Sequence, residues 1–444
     1  MVTAACVAGC ATMLAPPAQA GPLPFDTQLH TLPNGVRLLM VPYASPGLVA
    51  YYSLVRVGSR DEVEEGVTGF AHFFEHMMFR GTKAWPPSKV SELLKQAGAD
   101  QNGFTTDDFT CYTFLGSSAH LDELIKYEAD RFANLSYSEA DFKTEAGAVY
   151  GEYKKSSSRT YLPMQELLRK RVFRRHTYGH TTLGRVRDIR DMPNQFEYSK
   201  TFFKRYYTPD NLTLIVVGDF EPAALKEKVA AAYGPWKGRR VRSKVRPEPA
   251  QKRSIEESIR FKAKTLPRLS LSWRTPATKY GSADTAVYNV LWELLFGQIS
   301  PLYTDLVLQS QTVASFSDWG WDHADPYYFH VVATLNAPEQ LKPVQARIDE
   351  AIAALARGQI DAQHLEAVKA HVRYAKLLDL NTPDRIALAL AESIGPTGDE
   401  QGLSRLLDSI EAVKATDIRR FVQRYFTSNN RAVVTLTGAQ GGAQ

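Results

Sequence analysis

An internal repeat restricts the architecture of this chain more than any other feature of its sequence. The segment that begins at Phe202 returns near the C-terminus at Phe421, an offset of 219 residues. Each copy has the pattern of a helix end, a turn and a buried strand. A period of this length is far too long for a solenoid, so the repeat predicts two similar halves. The residues identical between the copies are Phe202, Arg205, Tyr206, Thr208 and Asn211, which match Phe421, Arg424, Tyr425, Thr427 and Asn430.

The apolar patterns within the first half predict its fold class. Residues 29–31 and 36–41 flank Pro33-Asn34-Gly35, a turn sequence typical of a hairpin, and residues 48–55 form a third strand pattern. Helical periodicity follows at 66–80, 88–97, 120–133 and 138–157. Strands followed by helices favour an α+β fold over a doubly wound sheet. We therefore expect two homologous halves, each an antiparallel-rich sheet covered by helices.

A basic segment separates the predicted halves. Residues 237–246 hold six basic side chains and no acidic one, and Pro247 and Pro249 follow. This composition is typical of a solvated, extended connector rather than a nucleic-acid patch. The formal net charge of +5, from 53 Lys+Arg against 48 Asp+Glu, gives no indication of a nucleic-acid partner either. We expect an N-terminal domain over 21–236, a linker over 237–252 and a C-terminal domain over 253–444.

Residues 1–20 have the pattern of a secretory signal peptide. They contain no charged side chain and end in Pro16-Pro17-Ala18-Gln19-Ala20, where small residues form a cleavage site. The run Val7-Ala8-Gly9-Cys10 also resembles a lipobox, so a lipid-anchored form is the alternative. No later stretch approaches the ~20 apolar residues of a membrane span, which predicts a chain without transmembrane helices. We expect a periplasmic or secreted protein whose mature chain keeps one cysteine, Cys111, and therefore no intramolecular disulfide.

The candidate chemistry is concentrated in the segment 69–79. His72 and His76 are four residues apart, so on a helix they project from one face and can bind one zinc ion at ~2.0–2.1 Å each. Glu75 lies beside them and can accept a proton from water. The other residues of the segment are apolar, so buried histidines and a buried glutamate would be costly there without a metal. Hydrogen-bonded core histidines can have the same spacing, so the interpretation requires a third ligand.

The third ligand is expected on the helix that begins after Ser138. Phe142, Glu145, Val149 and Glu152 share one face of this helix, and the two glutamates lie two turns apart. Two carboxylates on an otherwise apolar face are typical of a ligand set rather than of a solvated stripe.

With these residues in place, the sequence resembles a known family. His72-Phe73-Phe74-Glu75-His76, with Glu152 placed 76 positions after the second histidine, is similar to the inverted zinc motif of the pitrilysin family, the inverzincins. That family includes insulin-degrading enzyme and the mitochondrial processing peptidases. The resemblance extends to Gly69, to Phe79-Arg80-Gly81-Thr82, to Asp100–Thr105 and to the duplicated halves, and it covers most of the chain.

The resemblance implies a role for each residue of the motif. His72, His76 and Glu152 would bind zinc, and Glu75 would be the general base that activates water. Glu145 would orient a ligand histidine. Cobalt or manganese could occupy the same ligands, although a set of two histidines and one glutamate favours zinc.

The resemblance also implies where a substrate binds. Asn102, Gly103 and Phe104 correspond to the family's active-site edge strand, to which a peptide adds as an extended strand through main-chain hydrogen bonds. The family usually has Ala where this chain has Gly103, a small change at a position of close approach.

The C-terminal half departs from the family at two positions. Members that act alone commonly carry an Arg and, seven residues later, a Tyr that supports the transition state. The matching positions here hold Val307 and Ala314, whose side chains donate no hydrogen bond. By analogy with the processing peptidases, we expect the zinc-bearing subunit of a heterodimer, whose zinc-lacking homologous partner supplies the Arg/Tyr pair, or else a homodimer. Two such chains would close a clamshell chamber of four domains.

These observations predict a zinc-dependent metalloendopeptidase that hydrolyses peptides or unfolded segments. Two alternatives belong to other classes of protein. A non-catalytic assembly subunit has no physical reason to keep all three ligands together with Glu75. A peptide-binding module with a structural zinc would be expected to use a closed Cys/His set rather than three ligands and an adjacent acid.

Overall fold

The computed structural model describes residues 23–318 and 322–439. The predicted signal peptide, residues 1–20, lies outside the described residues. Those that are described form two mixed sheets with helices packed on them, one sheet in each half of the chain. The segment between Tyr233 and Ile255, which contains the predicted linker, forms neither helix nor strand.

The first half contains six strands and eight helices among its described residues. Its strands are β1 (Gln28–Thr31), β2 (Arg37–Pro42), β3 (Leu48–Val55), β4 (Asp100–Thr105), β5 (Thr110–Ser117) and β6 (Leu212–Gly218). Its helices are α1 (Phe70–Met77), α2 (Pro87–Gln96), α3 (Leu121–Asn134), α4 (Glu139–Ser157), α5 (Tyr161–Val172), α6 (Val186–Asp191), α7 (Phe196–Tyr206) and α8 (Pro222–Tyr233).

The described residues of the second half form five strands and seven helices. Its strands are β7 (Ile255–Arg260), β8 (Arg268–Arg274), β9 (Val313–Ser317), β10 (Tyr328–Leu335) and β11 (Arg431–Thr437). Its helices are α9 (Ala283–Phe296), α10 (Pro301–Tyr303, continued by a π-helical turn over Thr304–Gln309), α11 (Leu341–Ala356), α12 (Ala362–Asp379), α13 (Pro383–Thr397), α14 (Gly402–Glu411) and α15 (Ala415–Tyr425).

The two sheets have the same strand order. The first runs β1-β2-β6-β3-β5-β4 and the second β7-β11-β8-β10-β9, so they coincide position by position once β1 is set aside. One neighbouring pair in each sheet is parallel, β2 with β6 and β7 with β11, and the other pairs are antiparallel. The prediction of two homologous α+β halves with antiparallel-rich sheets is confirmed.

The sequence repeat has a structural cause. The side-chain amide of Asn211 donates to the carbonyl oxygen of Tyr206 at 2.8 Å, and that of Asn430 donates to Tyr425 at 2.7 Å. Each amide also donates to a carbonyl beside the C-terminal end of the neighbouring strand, β3 in one half at 3.4 Å and β8 in the other at 2.8 Å. One side chain therefore connects a helix end, a turn and two strands in each half.

Two details of the predicted secondary structure are wrong. The helix predicted over residues 66–80 begins only at Phe70, because Gly69 has a left-handed backbone with φ of 97° that a helix cannot include. Strands β4 and β5 lie between α2 and α3, so the strands of the first half do not all precede its helices. Asp100-Gln101-Asn102 begins β4 with polar side chains, which is why its apolar pattern is weak.

Each sheet has one face covered by helices of its own half and one face covered by a helix of the other half. In the first sheet, Leu38 and Met40 face α1, α3 and α4, whereas Leu39 and Val41 belong to a core that includes Ile386 and further residues of α13. In the second sheet, alternate residues of β11 pack against α5 of the first half. The helices α5 and α13 follow α4 and α12, so the two halves exchange equivalent helices.

Polar side chains join the halves beside β4. Asp325 of the second half pairs with Arg60 at 2.6 Å, and the Nε2 atom of His323 lies 3.2 Å from a carboxylate oxygen of Asp107. Asp107 in turn accepts two hydrogen bonds from the buried guanidinium of Arg169, at 2.6 and 2.9 Å. The turn that connects β4 to β5 is therefore held by both halves. Among the described helices, none combines the length and the apolar character needed to cross a bilayer.

The helix exchange predicts that a residue of the second half stabilises the first. Leu390 on α13 is fully buried against the first sheet, so Leu390→Ala should lower the free energy of unfolding by about 2–5 kcal/mol. Urea unfolding followed by circular dichroism measures the change. Leu378→Ala is the matched control, because Leu378 is 68 % exposed on α12 and its loss should change stability by less than about 0.5 kcal/mol. Equal effects of the two substitutions would contradict the exchange.

Candidate metal centre

A buried carboxylate holds the start of α1, the helix that carries the candidate ligands. Gly69 cannot cap the helix with a side chain, and the first turn contains no acidic residue. Instead the carboxylate of Glu62, which is 2 % exposed, accepts the backbone N–H groups of Gly69 and Ala71, both at 2.8 Å. Burial raises the pKa of Glu62 to about 8, and the hydrogen bonds from Ala71 and Gly69 oppose that shift. The two hydrogen bonds satisfy donors that the helix itself leaves free. The first turn, with His72 in it, is thereby fixed in place.

The structure brings the three predicted ligands together. The Nε2 atoms of His72 and His76 are 3.3 Å apart, and Oε2 of Glu152 lies 3.5 Å from each of them. Glu152 comes from α4, which packs directly against α1. The side chain of His72 is 9 % exposed and that of Glu152 is 43 % exposed, so the group lies at the mouth of a buried region and opens to solvent on one side.

The triangle of donor atoms fits a tetrahedral metal ion. Four bonds of ~2.0–2.1 Å at tetrahedral angles place neighbouring donor atoms ~3.3–3.4 Å apart, which agrees with the separations of 3.3 and 3.5 Å found here. Two imidazole nitrogens and a carboxylate oxygen are also the donor types that zinc prefers. A fourth position remains for a water or a substrate oxygen on the solvent side.

Glu145 contacts His76, one of the two histidines that it could orient according to the resemblance. Its Oε1 atom lies 2.9 Å from Nδ1 of His76, which directs Nε2 of that ring toward the candidate metal position. Arg80 donates from Nε to the other oxygen of Glu145 at 2.5 Å. Hydrogen bonds to His76, followed by those to Arg80, hold the pKa of Glu145 below its ordinary value, so the carboxylate is ionised. Glu145 and Glu152 lie two turns apart on α4, and both contact His76.

The two histidines have opposite electrostatic surroundings. Burial lowers the pKa of His72 to about 4, so its imidazole is neutral. The hydrogen bonds to Glu145 and Glu152 raise the pKa of His76 to about 9. The carboxylates of Glu145 and Glu152 therefore favour a positive charge at His76. A bound dication would supply that charge in place of a proton.

Glu75 lies on the same helix, between the edge strand and the ligands. Burial raises the pKa of its carboxyl group, and a hydrogen bond from Thr105 at 2.6 Å opposes that shift. Gly103 on β4 approaches the stem of Glu75 closely, since a Cβ atom added at Gly103 would lie 3.2 Å from Cγ of Glu75.

The edge strand is open on one side. Within the described residues β4 pairs with β5 alone, so no strand occupies its outer edge. The backbone N–H of Gly103 donates to Oδ1 of Asn102 at 2.9 Å. Asn102, Gly103 and Phe104 occupy this strand, and its end at Thr105 lines a cavity of about 900 Å³ between the two halves. Residues of α4, α5, α9, α12 and α13 complete the walls of the cavity. Unpaired strand edges beside such a space can take up a peptide by strand addition.

The sequence analysis assigned no role to three residues that shape this site. Glu62 caps α1, Arg80 holds Glu145, and Thr105 donates to Glu75. Thr105 could have been found, because it lies two positions from Gly103 and side chains alternate along a strand, so both face α1. Glu62 gives no local signal, since the loop that brings it to the helix start has no regular pattern.

Comparisons with known proteins agree with this geometry. Residues 48–185 match the family described as Insulinase (Peptidase family M16), and residues 196–372 match the family described as Peptidase M16 inactive domain. The zinc protease PqqE of Helicobacter pylori is 25 % identical over 417 residues, which cover 91 % of each chain.

Two crystal structures have the same fold. A protease from Helicobacter pylori superimposes with a TM-score of 0.87 at 24 % identity, covering 93 % of this chain and all of that one. The periplasmic protease PqqL from Escherichia coli gives a TM-score of 0.76 at 19 % identity, with 94 % of this chain matched to 48 % of that chain. This chain is therefore similar to about half of PqqL.

The role of Glu145 can be tested through metal affinity. Glu145→Gln should weaken zinc binding by about 10–100-fold, because the neutral amide no longer fixes the orientation of His76. Competition with a chromophoric chelator measures the dissociation constant. Glu139→Gln is the control, since Glu139 lies on the same helix and contacts only an exposed lysine at 2.8 Å. If both variants bind zinc as tightly as the wild type, Glu145 does not orient a ligand.

Proposed function

The chain belongs to the M16 family of peptidases, the insulinase family, and from this premise we propose that it is a zinc-dependent endopeptidase. One observation carries the proposal: three donor atoms of His72, His76 and Glu152 have tetrahedral spacing, and the carboxylate of Glu75 lies on the same helix. The relative PqqE is named a zinc protease, which supports the choice of metal.

The chemistry divides between a bound ion and the side chains of the chain. When bound to His72, His76 and Glu152, a zinc ion would polarise the scissile carbonyl and make water more acidic. Glu75 accepts the proton of the attacking water on its carboxylate and delivers it to the nitrogen of the leaving amine. Burial supports this role, because it raises the pKa of Glu75 and so favours uptake of a proton by its carboxylate, while the hydrogen bond from Thr105 opposes that shift.

The substrate is proposed to be an extended peptide or an unfolded segment. Asn102, Gly103 and Phe104 would bind its main chain along the open edge of β4. This mode uses backbone groups and therefore accepts many sequences. The cavity beside the end of β4 has room for several side chains, and its walls come from both halves.

A second chain is proposed to complete the active site. Val307 lies in the π-helical turn and Ala314 on β9, and neither side chain can donate a hydrogen bond to a developing oxyanion. The similarity to about half of PqqL supports a paired arrangement. The proposed partner is a homologous, zinc-lacking chain that supplies an Arg/Tyr pair, or a second copy of this chain, and together they would form the clamshell chamber. PqqL is a periplasmic protease, which supports the proposal of an exported protein, with a lipid anchor as the alternative.

Replacing the general base tests the mechanism. Glu75→Gln should lower kcat by about 10²–10⁴-fold on a fluorogenic oligopeptide, because the amide cannot accept a proton. Zinc content should stay at one ion per chain, since Glu75 is not among the ligands. Glu92→Gln, an exposed position on α2, is the control and should keep full activity. Undiminished turnover by Glu75→Gln would contradict the role assigned to Glu75.

The partner proposal has its own test. Peptidase turnover should appear when the chain is mixed with its zinc-lacking homologue and should be absent from either chain alone. A chelator should abolish the activity of the mixture, and added zinc should restore it. Chelator-sensitive turnover at the same rate by this chain alone would keep the peptidase and overturn the heterodimer with a zinc-lacking partner. A chain that binds zinc but remains inactive in every mixture would instead indicate a non-catalytic subunit.

A further inference from the structure

The edge strand β4 makes two contacts with Glu75. Oγ1 of Thr105 donates a hydrogen bond to Oε2 of Glu75 at 2.6 Å, and the bare Cα of Gly103 leaves room for the stem of Glu75. Thr105 and Gly103 are two residues apart and so share the strand face that packs on α1. Within the described part of the chain, Thr105 is the one side chain that donates a hydrogen bond to Glu75.

We propose that Thr105 is a positioning residue that aims the carboxylate of Glu75, so that the strand expected to hold the peptide also holds the base. The inference rests on the proposed peptidase function and adds to it a coupling between substrate docking and proton transfer. A peptide bound along β4 and the carboxylate held by β4 would keep a constant separation, because one stretch of backbone carries both.

The hydrogen bond restricts a side chain that would otherwise rotate. A glutamate has three rotatable bonds, and the carboxylate group at its end rotates over a broad range. Thr105 holds Oε2 and leaves Oε1 free to accept a proton. A displacement of about 1 Å from the reactive geometry can cost about 10²-fold in rate, so a single hydrogen bond at this point has a large effect.

Strand pairing and hydrogen bonds of the neighbouring residues hold the backbone of Thr105 in place. It pairs with Thr110 in the register of β4 and β5, and the hydroxyl of Thr110 donates to the carbonyl of Val57 at 2.9 Å. The next residue, Thr106, accepts the N–H of Phe109 on its hydroxyl at 3.0 Å and so closes the turn. The turn is then joined to the second half through Asp107, as described above. The position of the Thr105 hydroxyl is therefore fixed by the fold rather than by its own rotamer alone.

The test removes the hydroxyl and keeps the shape of the side chain. Thr105→Val should lower kcat by about 10–100-fold and change KM by less than threefold, because peptide binding along the backbone of β4 is retained. Thr105→Ser keeps the hydroxyl and should recover most of the activity. The matched control is Thr113→Val, because Thr113 lies opposite Asn102 on β5 and so faces the other side of the sheet. Kinetics are measured in the preparation in which the wild type turns over the peptide, with zinc content determined for each variant.

A second readout does not depend on activity. Crystal structures of the wild type and of Thr105→Val should show one ordered position of the Glu75 carboxylate in the former and a displaced or multiple position in the latter. An unchanged carboxylate, a rise in KM without a fall in kcat, or equal losses in Thr105→Ser and Thr105→Val would each overturn the inference. A wild type without turnover in any preparation would count against the peptidase function, and the carboxylate positions would still decide the role of Thr105.

Discussion

The structure depends on one constraint, which is that neither sheet can cover both of its faces with helices from its own half. The apolar residues on the uncovered faces, such as Leu39 and Val41, require a partner surface, and the helix exchange supplies it. Once α13 lies on the first sheet and α5 on the second, the two halves have little freedom to move apart. The cavity, the polar contacts of Asp107 and the end of β4 are all located where this exchange brings the halves together.

Charge placement is the second determinant of the site. Burying Glu62, Glu145 and His72 is unfavourable for each group alone, and the structure compensates each one differently. Backbone N–H groups satisfy Glu62, an arginine and a histidine satisfy Glu145, and His72 stays neutral. The ligand triangle is only partly satisfied within the chain, by the interaction of His76 with Glu152, and its three donor atoms converge on one point. A cation at that point satisfies all three, which is the physical basis for assigning a metal.

The fold and the ligand set could be predicted from the sequence because their signals are local or repeated. His72 and His76 are one turn apart on α1, Glu145 and Glu152 are two turns apart on α4, and the repeated asparagine makes the same hydrogen bonds in both halves. The helix exchange could not be predicted, since apolar patterns show that a face is buried but not which helix covers it. The role of Glu62 was missed because it acts through a contact that nothing in the neighbouring residues indicates. The role of Thr105 follows from its place two positions after Gly103, once β4 is known to pack on α1.

The exchange of α5 and α13 also has a consequence for biosynthesis. The first sheet is complete once β6 has left the ribosome, but the helix that covers its second face, α13, is made only near the end of the chain. Until then the strands β2, β3 and β6 expose a continuous apolar surface, which is a site for aggregation or for a chaperone. Contacts between residues so distant in sequence also make folding slow. Slow folding extends the time for which this apolar surface is exposed.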